Sequence, residues 1–336
     1  MKPGSAGARA SLALGLAGAL VGTCVAGEKA QLHTATVGTQ VMGTVLQLRV
    51  VHADPKRAAD LAAAAVELAR HWDDVLTTFR PEGELARLNA YAGRGPMVVS
   101  SDLYSALKRM LDLRAATGGA FDPAVGPLVE YWRAVGPRGP VPRPSPALRL
   151  NTALELTGSA GVSLAAGALV DAGGIGKGIA LDAIAELLSA GGATGAYLDF
   201  GGSSQRAFGR DGDQRPWVVA VSGLRRGRLH GTLELDGRAL STSRSKPDGD
   251  PAGSIIDPST LHPVPVSRLA TALAPDATSA EAWSTALVIL GRIGLDAART
   301  AGVEALYEDA DGVYTSAGFP INARAGDASA RSPGAP

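Results

Sequence analysis

Hydrophobic residues recur at helical spacing in some parts of the chain and form short β-branched and apolar runs in others. The first pattern predicts helices and the second predicts strands. Apolar residues recur at helical spacing in residues 55–76, 101–117, 179–190 and 280–290. Runs of β-branched and apolar residues predict strands at 44–51, 196–200, 217–222, 229–235, 303–308 and 313–316, and a strand end at 169–171. Because these elements follow each other in mixed order, the pattern favours an α+β fold over a doubly wound sheet.

Three segments lack this patterning. Residues 136–146 are rich in proline and glycine, and residues 241–265 are typical of a long polar loop. A loop of this length within a compact domain is uncommon unless it has a function. The residues from 323 onward are small and polar with no apolar period, which predicts a disordered tail at 323–336.

The N-terminus has the pattern of an export signal. Two basic residues precede an apolar run at about 10–25, which is too short to span a hydrocarbon core as a helix. The small residues that follow complete the pattern of a signal peptide at 1–26. Cleavage after Ala26 would release a soluble chain, whereas lipidation of Cys24 would anchor it, although Thr23 is a poor residue before a lipidated cysteine. We therefore expect an exported, periplasmic protein that meets a membrane only through such a lipid anchor.

Composition narrows the classes of function. The 32 lysines and arginines balance 32 aspartates and glutamates, with no long block of like charge, so nothing favours nucleic acid as a partner. Because Cys24 is the only cysteine, the folded part has no disulfide or thiolate chemistry. The histidines show no metal-ligand spacing, and the lack of a Gly-x-Ser-x-Gly motif gives no support to a serine hydrolase.

Residues 171–182 read DAGGIGKGIALD, and we call them the glycine segment. Glycines let a backbone approach a ligand closely, and the N-terminus of the predicted helix that follows offers free N–H groups to a phosphate. Lys177 would add a charge suited to a diphosphate, although the spacing matches neither common nucleotide-binding glycine motif. The alternative is a tight turn that carries a surface lysine.

Two further segments carry candidate polar groups. Glu281, Ser284 and Thr285 fall on one face of the predicted helix 280–290, where three oxygen ligands would suit Mg²⁺. The alternative for these three residues is a solvated helix face. Asp122 is held out of a helix by the proline that follows, and it would accept a hydrogen bond from a ribose or adenine, or cap a turn.

The order of the motifs resembles the FAD:protein FMN transferase family, also called the ApbE family. The matching motifs are MGT (42–44), FRPEGELARLN (79–89), TGGAFDP (117–123), DAGGIGKGIALD (171–182), LDFGGS (198–203), SIIDP (254–258) and EAWSTALVILG (281–291), with a final GF pair at 318–319. The resemblance covers about residues 35–320 and implies one α+β domain that binds FAD together with a divalent metal.

The resemblance also implies a set of site residues and a reaction. FAD would be contacted by Met42, Phe79, Ala120, Phe121, Asp122, Asp171, Lys177 and the backbone near Ile255. Mg²⁺ would take the carbonyl of Gly174 and the side chains of Glu281, Ser284 and Thr285. The implied reaction is phosphoryl transfer, in which a Thr or Ser hydroxyl of an acceptor redox protein attacks the FMN-side phosphorus of FAD and AMP leaves.

The chain departs from the family pattern at five positions, three of which lie in the polar loop. Ser254 stands where the family usually has a histidine, so no catalytic base is assigned. His262 lies nearby in the sequence. It would either substitute for the missing histidine or be simply an exposed loop residue. The other departures are Arg244 and Leu261 at usual glycines, Glu281 at the usual metal aspartate and Phe79 at the usual tyrosine.

These departures leave three functions open. The first is the FMN transferase itself. The second is a non-catalytic relative that binds FAD. The third is an FAD pyrophosphatase that uses water as nucleophile and releases FMN and AMP.

Overall fold

The computed structural model describes residues 1, 31–136, 139–245, 255–323 and 330–331, and it confirms the predicted mixture of helices and strands. The helices are α1 (Pro55–Leu76), α2 (Glu84–Ala90), α3 (Ser101–Ala116), α4 (Gly126–Val135), α5 (Leu150–Ala153), α6 (Gly176–Ala190), α7 (Ala277–Leu290) and α8 (Gly294–Thr300). The strands are β1 (His33–Val41), β2 (Thr44–His52), β3 (Pro96–Val98), β4 (Leu154–Thr157), β5 (Gly161–Leu164), β6 (Gly195–Phe200), β7 (Ser204–Gly209), β8 (Trp217–Ser222), β9 (Leu229–Leu235), β10 (Arg238–Arg244), β11 (Ile256–Asp257), β12 (His262–Pro263), β13 (Leu269–Ala274), β14 (Glu304–Glu308), β15 (Val313–Thr315), β16 (Asn322–Ala323) and β17 (Ala330–Arg331).

Nine strands form the main sheet, in the order β1-β2-β6-β7-β10-β13-β14-β15-β17. Neighbouring strands in this sheet are antiparallel except for β15 and β17. Strands β8 and β9 pair with β16 in a second sheet, β3, β5 and β4 form a third, and β11 pairs with β12. Between β2 and β6 the chain leaves the main sheet to form α1 to α6.

The main sheet is covered on both faces. Helix α6 lies in contact with both α1 and α7, and α7 packs on β10 and β13. Strand β13 has all six residues buried because it faces two cores. Leu269 and Leu273 belong to the apolar cluster shared with β8 and β9, whereas Ala270 and Ala272 belong to the main core. Alanines on that face let α7 approach the sheet closely.

Local capping explains where the helices begin. The side chain of Asp54 accepts the N–H groups of Lys56 and Arg57, and Pro55 occupies the first position of α1, as expected for a helix start. Helix α7 begins after Asp276, which accepts the N–H of Ser279, one turn earlier than the predicted residue 280.

Two sequence predictions are wrong. Residues 169–171 form irregular backbone and end no strand. Residues 241–244, assigned to the long polar loop, belong to β10 in the interior of the main sheet. Their composition misleads because Ser241 is buried although it is polar.

Some predictions fall outside the described residues. The predicted signal segment with Cys24 lies there apart from Met1, and so does Ser254. Of the predicted tail, the structure describes Ala323, Ala330 and Arg331, which lie in short strands. Within the described part of the chain, no helix has the length and apolar character needed to cross a bilayer.

Candidate active site

Two neighbouring pockets lie on either side of the glycine segment. The polar pocket, about 360 Å³, is bounded by that segment, β10 and α7. The apolar pocket, about 420 Å³, is bounded by the same segment, the end of α1 and the turn between β1 and β2. Asp171, Gly173 and Lys177 line both pockets, so the two adjoin at the start of the glycine segment.

The structure brings all but one of the predicted site residues to these pockets. Met42 and Phe79 line the apolar pocket. The polar pocket is lined by Ala120, Phe121, Asp122, Gly174, Ile255, Glu281 and Thr285. Ser284 is the exception, because its fully buried side chain lies behind the wall and lines neither pocket.

The glycine segment is a close-packed element. None of its glycines has a φ in the left-handed region, so the backbone conformation itself does not require glycine. A Cβ on Gly178 would lie 2.6 Å from the carbonyl oxygen of Ala277, which leaves no room for a side chain. A Cβ on Gly174 would lie 3.4 Å from the ring of Phe121 and 3.8 Å from Oγ1 of Thr285. Gly178 therefore allows α7 to approach this backbone closely, whereas a Cβ on Gly174 would make only ordinary van der Waals contacts.

The start of the segment is fixed by backbone hydrogen bonds. Oδ1 of Asp171 accepts the N–H of Gly173 at 2.8 Å. The N–H of Asp171 donates to the carbonyl of Pro123 at 2.8 Å. The bond to Pro123 attaches the segment to the loop that carries Phe121, so both sides of the polar pocket keep a defined spacing.

Glu281 lies at the base of the polar pocket and is only 3% exposed. Its carboxylate accepts the N–H of Gly178 at 2.7 Å and the hydroxyl of Ser204 at 2.5 Å, and it lies 2.7 Å from Nζ of Lys177. Helix α6 has no capping side chain at its own N-cap residue. Glu281 therefore caps α6 from α7, at the end of the helix where negative charge is favourable.

Hydroxyl groups form the wall between β10 and α7. Oγ of Ser243 lies 2.8 Å from Oγ of Ser284 and 3.3 Å from Oγ1 of Thr285. Oγ of Ser241 lies 3.1 Å from Oγ of Ser284, which also donates to the carbonyl of Glu281 at 3.0 Å. Ser241 and Ser243 also line the polar pocket and were not among the predicted site residues. Their spacing of two residues, typical of one strand face, is the signal that would have found them.

The oxygen atoms at this wall fit a hard divalent cation. Such cations bind carboxylate, hydroxyl and carbonyl oxygens, which Glu281, Thr285 and the backbone of Gly174 supply. Ser284 would have to leave its present hydrogen bonds to join them. No group of three or more His, Cys, Asp or Glu residues suited to a metal occurs in the described part of the chain. A cation here would therefore complete its shell with substrate phosphates and water, as Mg²⁺ usually does.

Asp122 lies at the polar pocket, but its carboxylate is engaged within the protein. It accepts Nε–H of Arg114 at 2.6 Å and the N–H groups of Ala124 and Leu150 at 3.0 Å each. The side chain is fully buried. The capping alternative therefore describes this carboxylate, and Phe121 is the residue of this loop that faces Gly174.

Met42 and Phe79 reach the apolar pocket from two turns. Met42 has a φ of 52° in the hairpin between β1 and β2, a conformation that costs a non-glycine residue about 1 kcal/mol. The ring of Phe79 is 87% exposed. Its segment is held by Arg80, which donates to Asp73 at 3.0 Å and to Asp74 at 2.6 Å. An exposed ring on a fixed segment offers a free face to a planar ligand.

The two glycine replacements differ in their consequences. The guanidinium of Arg244 donates to the carbonyls of Gly223 and Leu224, so its charge is committed to the loop that follows β8. Leu261 has a φ of 62°, the left-handed region that favours glycine. Its side chain is nevertheless buried, and its carbonyl accepts Nε1–H of Trp132 at 2.8 Å, which together hold this strained residue in place.

His262 does not take part in the polar pocket. Its ring lies 4.4 Å from the ring of Trp132, measured between centroids, and it does not line the pocket. Among the described residues that do line the pocket there is no histidine. His262 is therefore neither a substitute base in this pocket nor a simple loop residue, because it belongs to β12 and its ring packs on Trp132.

Comparison with known proteins identifies the family of this chain. The chain matches the ApbE family over residues 42–307, and it belongs to that family. It is 32% identical over 306 residues to the FAD:protein FMN transferase of Treponema pallidum, covering 81% of this chain and 82% of that protein. It is 30% identical over 290 residues to the protein of the same name from Salmonella typhimurium, covering 79% and 82%.

A solved structure shows the same fold. The flavin transferase ApbE from Vibrio cholerae superposes with a TM-score of 0.73 at 26% identity, covering 86% of this chain and 98% of that chain. The family inferred from the order of the motifs and the α+β fold are thus both confirmed.

Proposed function

We propose that this chain is an FAD:protein FMN transferase, which moves FMN from FAD to a Thr or Ser hydroxyl of an acceptor redox protein and releases AMP. The observation that carries the proposal is the pair of adjoining pockets, of which one presents the exposed ring of Phe79 and the other presents Lys177 and Glu281. This arrangement suits an elongated ligand with a planar group and a diphosphate. The names of the relatives support the same activity.

In this proposal the residues of the polar pocket orient the diphosphate. Lys177 exchanges the carboxylate of Glu281 for a phosphate oxygen, because a diphosphate brings more negative charge than one carboxylate. The polar pocket also offers the serine hydroxyls of β10 as hydrogen-bond donors. Glu281, Thr285 and the carbonyl of Gly174 would hold Mg²⁺, which supplies charge neutralisation on the diphosphate.

The transfer step breaks and forms one bond each. The acceptor hydroxyl oxygen bonds to the FMN-side phosphorus, and the bond from that phosphorus to the bridging oxygen breaks, so that AMP leaves. The hydroxyl proton must pass to a base, a role that typically contributes about 10²–10⁴-fold. The described lining of the polar pocket contains no histidine for this role, and Ser254 lies outside the described residues.

That observation favours a second candidate, a protein that holds FAD without transferring FMN. The experiment incubates the purified chain with FAD, Mg²⁺ and a threonine-bearing acceptor. Flavin fluorescence on the acceptor band, together with AMP, supports transfer. FAD binding without AMP supports the second candidate. AMP without labelled acceptor identifies hydrolysis of FAD to FMN and AMP, and absence of FAD binding contradicts all three functions.

A Ser254→His variant is assayed in parallel. If the chain lacks only the base, restoring the imidazole should raise the rate of transfer without changing FAD affinity. A rate equal to that of the wild type would show that the missing histidine does not limit turnover.

For localisation we propose export to the periplasm, based on the signal pattern at 1–26. Cell fractionation tests it, and a Cys24→Ala variant separates the two modes of export. Loss of membrane association in this variant supports a lipid anchor, whereas an unchanged soluble fraction supports cleavage after Ala26. A chain found only in the cytoplasm would contradict export.

A further inference from the structure

Two helices that contribute to the lining of the polar pocket, α6 and α7, are also joined outside the pocket, by Asp182. Helix α6 carries Lys177 in its first turn, and α7 carries Glu281 and Thr285. Asp182 lies further along α6 and lines neither the polar nor the apolar pocket. It ends the glycine segment, yet neither the FAD site nor the cation site uses it.

The carboxylate of Asp182 caps the N-terminus of α7. Oδ1 accepts the N–H of Ala277 at 2.7 Å, and Oδ2 accepts the N–H and hydroxyl of Thr278 at 2.9 and 2.5 Å. Arg206 of β7 forms an ion pair with the same carboxylate. The first N–H groups of a helix have no partner within the helix, so this contact satisfies two of them and also places negative charge at the positive end of the dipole.

Asp182 and Gly178 lie one turn apart on α6 and therefore face the same side. At Gly178 the backbones of the two helices touch, because a Cβ there would lie 2.6 Å from Ala277 and 2.7 Å from Cα of Thr278. The N–H of Gly178 also binds Glu281 at 2.7 Å. Two points thus fix α7 against α6: a close backbone contact and a charged clamp one turn away.

We propose that Asp182 is a positioning residue for the cation site. By holding the first turn of α7 against α6, it sets the distance from the backbone of Gly174 to the oxygen atoms of Glu281 and Thr285. The inference rests on the proposed function, since it assumes that the cation binds between these two helices. Asp182 touches neither the cation nor the substrate, and it acts through the relative position of the helices.

Helix α7 has a second cap that provides a matched control. Oδ1 of Asp276 accepts the N–H of Ser279 at 2.6 Å. The same oxygen lies 3.2 Å from a guanidinium nitrogen of Arg109 in α3. Asp276 therefore ties α7 to α3, whereas Asp182 ties α7 to α6. Loss of a helix cap costs about 1 kcal/mol, so Asp276→Ala removes a cap from the same helix and leaves the contact with α6 intact.

The experiment measures the Kd for Mg²⁺ by calorimetry on the full chain with FAD bound. The variants are Asp182→Ala, Asp182→Asn and Asp276→Ala, each with its thermal midpoint recorded. Groups that orient metal ligands typically change metal affinity 10–100-fold, so Asp182→Ala should raise the Kd about tenfold. Asp182→Asn keeps one acceptor and should be intermediate. Asp276→Ala should leave the Kd unchanged, and the Kd for FAD without Mg²⁺ should be equal in all variants.

Equal Mg²⁺ affinity in Asp182→Ala and the wild type would overturn the positioning role. An equal loss of affinity in Asp276→Ala would overturn it too, because it would show a general weakening of α7. If Asp182→Ala does not fold, the Kd for Mg²⁺ is compared for Asp182→Asn and for Thr278→Val, which removes one hydroxyl donor. Either variant should bind Mg²⁺ more weakly than the wild type and Asp276→Ala, and equal affinity would overturn the positioning role. A wild type that binds FAD but no Mg²⁺ would instead refute the proposed cation site, and this inference with it.

Discussion

Replacing Gly178 by alanine tests whether the contact between α6 and α7 is as close as the structure shows. The new Cβ would lie 2.6 Å from the carbonyl oxygen of Ala277 and 2.7 Å from Cα of Thr278. Both are backbone atoms of α7, so no side-chain rotation can relieve the overlap. Since nonbonded carbon atoms prefer about 3.5–4.0 Å, the helices must separate by roughly 1 Å.

The size of the effect follows from two opposing contributions. Overpacking of a tight contact costs about 1–3 kcal/mol, and alanine is favoured over glycine within a helix by about 0.5–1 kcal/mol. The expected net loss in the free energy of unfolding is about 1–2 kcal/mol, which lowers the thermal midpoint by about 2–6 °C. A displacement of about 1 Å between Lys177 and Glu281 would reduce transfer by up to about 100-fold.

Circular dichroism gives the thermal midpoint, and flavin transfer or FAD binding gives the functional effect. Gly38→Ala is the control, because it adds the same methyl group in β1 at a position with nothing within 4 Å of the new Cβ. The control should keep the midpoint and activity of the wild type. A Gly178→Ala protein with unchanged midpoint and activity would show that the helices tolerate a larger separation, and the reasoning about this contact would be refuted.

Three further predictions concern single side chains. Lys177→Met removes the cation 2.7 Å from buried Glu281, so FAD affinity measured by fluorescence should fall about tenfold or more, and unchanged affinity would contradict a role on the diphosphate. Phe79→Ala should leave the free energy of unfolding within about 0.5 kcal/mol, because the ring is exposed, but should weaken FAD binding by about 1 kcal/mol; a stability loss with unchanged FAD binding would contradict this. Desolvation raises the pKa of Asp182 above its ordinary value of 3.8, against the opposing effects of Arg206 and the hydrogen bonds from α7. The folded state then holds this proton to higher pH than the unfolded state, so its contribution is present below about pH 4 and lost as pH rises through the folded pKa. Chemical denaturation at pH 4 and at pH 7 measures this loss. Between pH 4 and pH 7 the free energy of unfolding of the wild type should fall relative to that of Asp182→Asn, and a rise relative to that variant would contradict the raised pKa.

The sequence by itself determined features whose causes are local. The bounds of α1 could be predicted because its apolar residues recur at helical spacing within the helix itself. The family could be inferred because the motifs keep their order along the chain, and most of the residues they imply do lie at the two pockets. The strands β8 and β9 were predictable because a run of β-branched and apolar residues is also a local pattern.

Only the tertiary structure decided which polar groups are free to meet a ligand. Asp122 could be assigned to a ligand from its sequence context, but Leu150, 28 residues away, takes part of its hydrogen-bonding capacity. Lys177 and Glu281 were assigned to different ligands, yet the fold pairs them and makes Glu281 the cap of α6. Burial, pairing and exposure depend on residues that are distant in the chain, and hydrophobic periodicity carries no information about such partners. Gly178, which the sequence places in a phosphate-binding or tight turn, is for that reason a close backbone contact with α7.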